Sequence, residues 1–165
     1  MNQTNNGKTE LDQYYNYEPI EELITKLDNY LLSEGVVVNE KNEEAEETLK
    51  LGYEKILLLS PKECLAKAYV LFSYCNHLQL IYNKHKIRLD WCDDVLNRTV
   101  SRQADQFDKY TKWEQKYHLV IAQDAFAEKV WNVRRLANSR VVWFDNLIRD
   151  TRRMADTLLE LGKKL

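Results

Sequence analysis

Hydrophobic positions in the last two-thirds of the chain recur at alternating steps of three and four, and no glycine or proline interrupts residues 62 to 161. Tight turns of a small sheet need those residue types, so the stretch predicts long helices and an all-α fold. Ser60-Pro61-Lys62-Glu63 marks the first long helix. Ser60 can cap, Pro61 suits the first helical position, and Glu63 can close a reciprocal capping box. The segment Cys64 to Tyr82 is apolar on nearly every side and predicts a helix covered all round. His85, Leu89, Cys92, Leu96, Thr99 and Gln103 then form a narrower, partly polar seam. A break is expected between Asp105 and Thr111, where Thr111-Lys112-Trp113-Glu114 offers a second capping box.

One last helix is expected from there to Gly162, about 75 Å long at 1.5 Å per residue. Its seam would be Phe126, Val130, Val133, Ala137, Arg140, Phe144, Leu147, Thr151, Met154, Leu158 and Leu161. Two long helices joined at one corner make an antiparallel hairpin with the character of a coiled-coil bundle. Arg140 would fall inside the seam, so it should snorkel out or meet a carboxylate of the facing helix, with Asp90, Asp93 and Asp94 as candidates.

The first sixty residues read differently. Residues 1–17 are polar and Asn-rich, a disordered or loosely docked tail that Tyr14, Tyr15 and Tyr17 could anchor. Residues 18–165 would form a single helical domain, with short acidic helices over 18–59 and the two long helices over 60–165. Pro19 opens a short amphipathic helix carrying Ile20, Leu23, Ile24, Leu27, Tyr30 and Leu31, and Gly35 ends it. Val36-Val37-Val38 lacks a strand partner and reads as an extended connector. The acidic run Glu40 to Glu47 leads into a helix with Leu49, Tyr53, Ile56 and Leu57 on one side, which Gly52 weakens.

Charge divides the chain in the same way. Residues 1–61 hold 5 Lys/Arg against 13 Asp/Glu, and residues 62–165 hold 19 against 13, so a net charge of -2 conceals acidic and basic surfaces. On a 100° wheel the side of the last helix opposite the expected seam carries Trp113, Lys116, Tyr117, Trp131, Arg134, Arg135, Arg149, Arg152 and Arg153. Cations and rings together suit single-stranded nucleic acid, because arginines neutralise phosphates while rings stack on bases of any identity. The competing reading packs the tryptophans against another helix or subunit and pairs the arginines with acidic residues; Asp145 and Asp156 lie on the same arc.

Other chemistry is sparse. Cys64, Cys75 and Cys92 form no CxxC pair and predict reduced thiols in an intracellular protein. His77, His85 and His118 lack metal-ligand spacing, and no phosphate loop or nucleophile elbow is present. Catalysis is disfavoured, and no cofactor or metal is expected. Apolar runs such as Ile56–Leu59 are far too short to span a bilayer, and the N-terminus has no signal-type apolar segment, so a soluble, cytoplasmic protein is expected. Glu43-Glu44-Ala45-Glu46-Glu47 resembles the EExxE element of MazG-like all-α nucleotide pyrophosphohydrolases, in which Glu43, Glu44, Glu47 and Asp93 would surround Mg²⁺. The later ExxD element is missing, and a solvated acidic face is the plainer reading.

The plan of a short N-terminal part, a long helix, a break and a long C-terminal helix resembles the UvsY-type recombination mediators of tailed bacteriophages. Val70-Leu71-Phe72-Ser73 with Asn76, Tyr110, and Ser139-Arg140 followed by Ile148, Asp150 and Arg152 are similar to positions in that family, over residues 62–160. The resemblance implies a homo-oligomeric, non-enzymatic protein of the host cytoplasm. Such a protein binds single-stranded DNA and helps a RecA-like recombinase displace single-strand-binding protein. Arg98 and Arg102 stand where the family carries basic residues. The acidic first part is longer than in that family, and no glycine-rich connector separates the arms. A helical adaptor or scaffold acting through protein contacts is the alternative.

Overall fold

The computed structural model describes residues 20–34 and 42–164. Its helices are α1 (Ile20–Ser33), α2 (Glu43–Leu49), α3 (Tyr53–Leu57), α4 (Pro61–Gln103), α5 (Trp113–Gln123) and α6 (Ala125–Lys164), with a 3₁₀ turn at Ala104–Gln106. The described residues contain no strand, and the long helices α4 and α6 pack on each other. The fold is all-α. The expectations for the tail, Pro19, Gly35 and the valine triplet lie outside the described residues.

Local chemistry explains the boundaries. At the start of α4 the Ser60 and Glu63 backbone N–H groups donate to each other's side chains, at 2.7 Å to Glu63 Oε2 and 3.3 Å to Ser60 Oγ. The expected capping box is formed. The second one is not: Lys112 occupies the N-cap of α5 and makes no side-chain cap. The acidic segment makes two helices rather than one. Asn42 Oδ1 caps α2 by accepting from the N–H groups of Glu44 and Ala45, and extended Gly52 begins α3 anew.

The C-terminal helix is also divided, which the uninterrupted periodicity concealed. Asp124 has extended backbone, and its Oδ1 accepts from the N–H groups of Phe126 at 2.9 Å and Ala127 at 3.1 Å. An aspartate that satisfies two orphan donors starts a new helix in mid-pattern. Its other oxygen accepts from Gln103 Nε2 at 2.7 Å.

Contacts divide the chain into two compact units. The first comprises α1 and residues 87–136. Its core joins Cys92, Val95, Leu96 and Val100 of α4, Val120 and Ile121 of α5, and Ala127 and Val130 of α6. The second comprises residues 42–86 and 137–164. Ala45, Cys64, Ala68, Leu71, Ala155 and Leu158 form its core, flanked by Leu49, Ile56 and Leu59. Small residues predominate there and permit close helix approach. A Cβ on Gly162 would lie 3.0 Å from the Pro61 carbonyl oxygen.

Within each unit α4 and α6 run antiparallel, as the pairs Asp93–Arg134 and Gln103–Asp124 in the first and Cys75–Ile148 and Cys64–Gly162 in the second show. The α4 seam follows expectation, with His85, Leu89, Cys92, Leu96 and Thr99 buried and Gln103 half-buried. Before it, the described helices of the chain cover one side only. Cys64, Ala68, Leu71, Cys75 and Leu78 continue the same single stripe, while Leu65 and Tyr69 are exposed.

Candidate nucleic-acid interface

Burial assigns α6 a different phase from the one its apolar residues suggest. Its inward stripe is Ala127, Val130, Arg134, Ala137, Val141, Phe144, Ile148, Thr151, Ala155 and Leu158, again in steps of three and four. Val133 and Arg140 are exposed. The cation in the seam is therefore Arg134, and Asp93 of α4 meets it by a hydrogen-bonded ion pair from Nε to Oδ1. Arg134, expected to face outward, fits inside because its aliphatic stem packs while its charge is paired. The bond to Asp93 raises the Arg134 pKa further, against a smaller opposing effect of burial.

Arg134 also organises the rings of the first unit. Its guanidinium lies 5.2 Å from the Trp131 ring centroid, a cation–π distance. Tyr117 and His118 of α5 meet Trp131 edge-on, with centroids 6.1 Å and 6.5 Å away. Trp131 is half-buried against the core, and burial pushes the Tyr117 phenol pKa up. Together with Trp113, Glu114, Asn97 and Asp93 these groups line an open depression of about 310 Å³. Trp113 at its edge is 47% exposed, so a face of its indole is accessible. Glu114, Asn97 and His118 were not assigned to this face from the sequence, because their proximity arises from the packing of α4, α5 and α6 and not from spacing along one helix.

The other predicted cations have varied surroundings. In the first unit Arg98 is exposed and pairs with Asp94 one turn earlier at 2.8 Å. Lys116 Nζ donates to the Ala104 carbonyl at 3.3 Å and is thus engaged at the start of the 3₁₀ turn. Arg102 and Arg135 are exposed. In the second unit Arg153 lies 3.6 Å from Asp150, and Arg149 donates to Asn146 Oδ1. Arg152 is exposed, lines a cleft together with Cys75, and has no ion-pair partner among the described residues.

The groups considered for catalysis have different surroundings. Glu43, Glu44 and Glu47 are exposed on α2 in the second unit, whereas Asp93, in the first, is engaged by Arg134. Among the described residues no three His, Cys, Asp or Glu side chains converge as metal ligands. The three cysteines are buried free thiols. Burial, with Asp93 adding to it, pushes the Cys92 pKa up to about 11. Such a thiol is a poor nucleophile. His85 stacks on Phe144 at 5.6 Å and His77 on Tyr74 at 5.8 Å, which accounts for both rings as packing elements. No described helix is long and apolar enough to cross a membrane.

Comparison with protein-family models, with curated proteins and with solved structures returns no match. The functional reading therefore rests on the geometry above.

Proposed function

We propose that the chain is a non-enzymatic accessory protein of DNA recombination or replication that binds single-stranded DNA without sequence choice. The ring-lined depression of the first unit carries this reading. Trp113 presents an accessible indole beside Tyr117, His118 and Trp131, and the exposed Arg135 adds positive charge nearby in sequence. Aromatic faces of this kind stack on any base, and exposed cations neutralise phosphates. The ion pairs at Arg98, Arg134 and Arg153 shift the expected contacts toward Trp113, Arg149 and Arg152. Within this reading the protein acts as a homo-oligomer and helps a RecA-like recombinase replace single-strand-binding protein.

Trp113→Ala tests the assignment. The indole is not part of the core, so the variant should fold, and it should weaken binding of a fluorescent oligonucleotide about five- to hundredfold, the range of one lost stacking contact. Unchanged affinity would remove the depression from the interface.

A second reading, a helical adaptor or scaffold, draws on exposed apolar side chains of the second unit. Leu57, Leu58 and Leu65 are exposed there, as are Val142 and Trp143 of α6. Exposed apolar side chains can serve a protein partner. Under that reading Trp143→Ser alters the native mass while oligonucleotide affinity is negligible in both proteins.

A further inference from the structure

The second unit contains a cleft of about 390 Å³ lined by Tyr69, Phe72, Ser73, Cys75, Asn76 and Arg152. Tyr69, Phe72, Ser73 and Asn76 are spaced i, i+3, i+4 and i+7 on α4, so they share one helix face. Arg152 reaches the cleft from α6. Cys75 on the cleft wall is buried, its thiol directed at the Ile148 carbonyl 3.9 Å away. Burial raises the Cys75 pKa, so the sulfur stays a neutral thiol. Arg152 has no ion-pair partner among the described residues, so its charge is not cancelled. Asp156, one turn further along α6, acts on Cys75 but forms no ion pair with Arg152.

Two other groups on the cleft are also uncommitted. The Asn76 carboxamide makes no hydrogen bond to a described residue, and Tyr69 is 75% exposed with no described partner. A guanidinium binds a phosphate through two parallel N–H donors, and an amide can supply a third. An exposed phenol ring supplies a stacking platform for a base. The volume lies within the range of small-ligand sites and accommodates both parts.

We propose that this cleft is a subsite for one nucleotide of a single strand, with Arg152 and Asn76 on the phosphate and Tyr69 against the base. The proposal rests on the strand-binding reading and adds a contact that the ring-lined depression does not contain.

The test uses the full chain and three probes: a fluorescent deoxyadenosine oligonucleotide, adenosine monophosphate and inorganic phosphate. Arg152→Gln should weaken oligonucleotide binding about tenfold and reduce the slope of log affinity against log salt by about 0.7, the value of one phosphate on a single strand. Tyr69→Ala should weaken it about fivefold or more with the slope unchanged, because no charge is lost. Arg152→Lys keeps the charge and loses the paired donors; it should bind more weakly than the wild type at an unchanged slope. Adenosine monophosphate should bind the wild type, more weakly to both Arg152→Gln and Tyr69→Ala, and inorganic phosphate should be insensitive to Tyr69→Ala.

If all three cleft variants bind the oligonucleotide as the wild type does while Trp113→Ala does not, the cleft proposal fails and the strand-binding reading stands. If the wild type binds no oligonucleotide, that reading fails. The single-strand subsite fails with it, and binding of adenosine monophosphate that depends on Arg152 would then mark a mononucleotide site only. Phosphate binding equal to that of the nucleotide, with no effect of Tyr69→Ala, also overturns it as an adventitious ion only.

Discussion

Two polar residues, Arg134 and Thr151, occupy the buried stripe of α6 under opposite conditions. Arg134 has Asp93 as its partner and Trp131 beside it, and both charged side chains keep partial access to water, at 29% and 38%. Removing Asp93 leaves a partly desolvated cation unpaired. Asp93→Ala should therefore destabilise by roughly 1–2 kcal/mol, discounted from a fully buried pair for solvent screening. Arg134→Met, which keeps the packed stem, should cost less than Asp93→Ala in the same denaturant titration. Thr151 is fully buried, and its Oγ1 has no described hydrogen-bond partner. Valine has the same shape without the stranded hydroxyl. Thr151→Val should raise stability by about 1 kcal/mol, seen as a higher urea midpoint at unchanged slope. A lower midpoint would mean that the hydroxyl is satisfied in solution.

At the scale of the helices, two caps decide where the elements begin. Asp124→Ala removes the acceptor for two N–H groups at the start of α6, and a loss of about 1 kcal/mol is expected. The Ser60–Glu63 box responds to pH with a definite sign. Hydrogen bonds from the Ser60 side chain and backbone hold the Glu63 carboxyl below the usual glutamate range. Its contribution is therefore complete above the unfolded-state pKa and is lost as pH falls through the lower folded value. A carboxyl titration by NMR should place the Glu63 midpoint below the ordinary glutamate range; a midpoint within or above it would contradict the box.

The helices also show how far the sequence could be read. In α4 the stripe from Cys64 to Gln103 was legible from His85 onward, since its flanks are charged and only one side is apolar. Nearer the start both sides are apolar, and the sequence carries no sign that Leu65 and Tyr69 stay outside. In α6 two adjacent arcs are equally plausible because Val133 and Leu147 lie beside Arg134 and Ile148. Burial favours the arc on which Arg134 finds Asp93, a pairing across 41 positions that no local pattern encodes. The break at Asp124 was missed for a related reason: apolar spacing runs through it while the aspartate ends the hydrogen-bond ladder.

For the whole molecule, function was less legible than fold. The co-occurrence of rings and cations on the C-terminal helix could be read directly, and Trp131 with Arg134 are brought together as that pattern suggests. Their roles differ from expectation, because Trp131 supports the core and Arg134 is paired, so accessible stacking passes to Trp113. The charge division leaves the basic residues in the part of the chain that carries both the depression and Arg152. Strand binding should then be electrostatic in part and stacking in part, with loss of affinity shared between charge-removing and ring-removing variants.

Fluorescence anisotropy of a labelled single-stranded oligonucleotide, titrated with wild-type protein from low to high salt, tests this most directly. The account predicts binding at low salt whose log affinity falls linearly with log salt concentration, at about 0.7 per phosphate neutralised. Absence of binding at low salt, or affinity that does not change across the salt series, would contradict it.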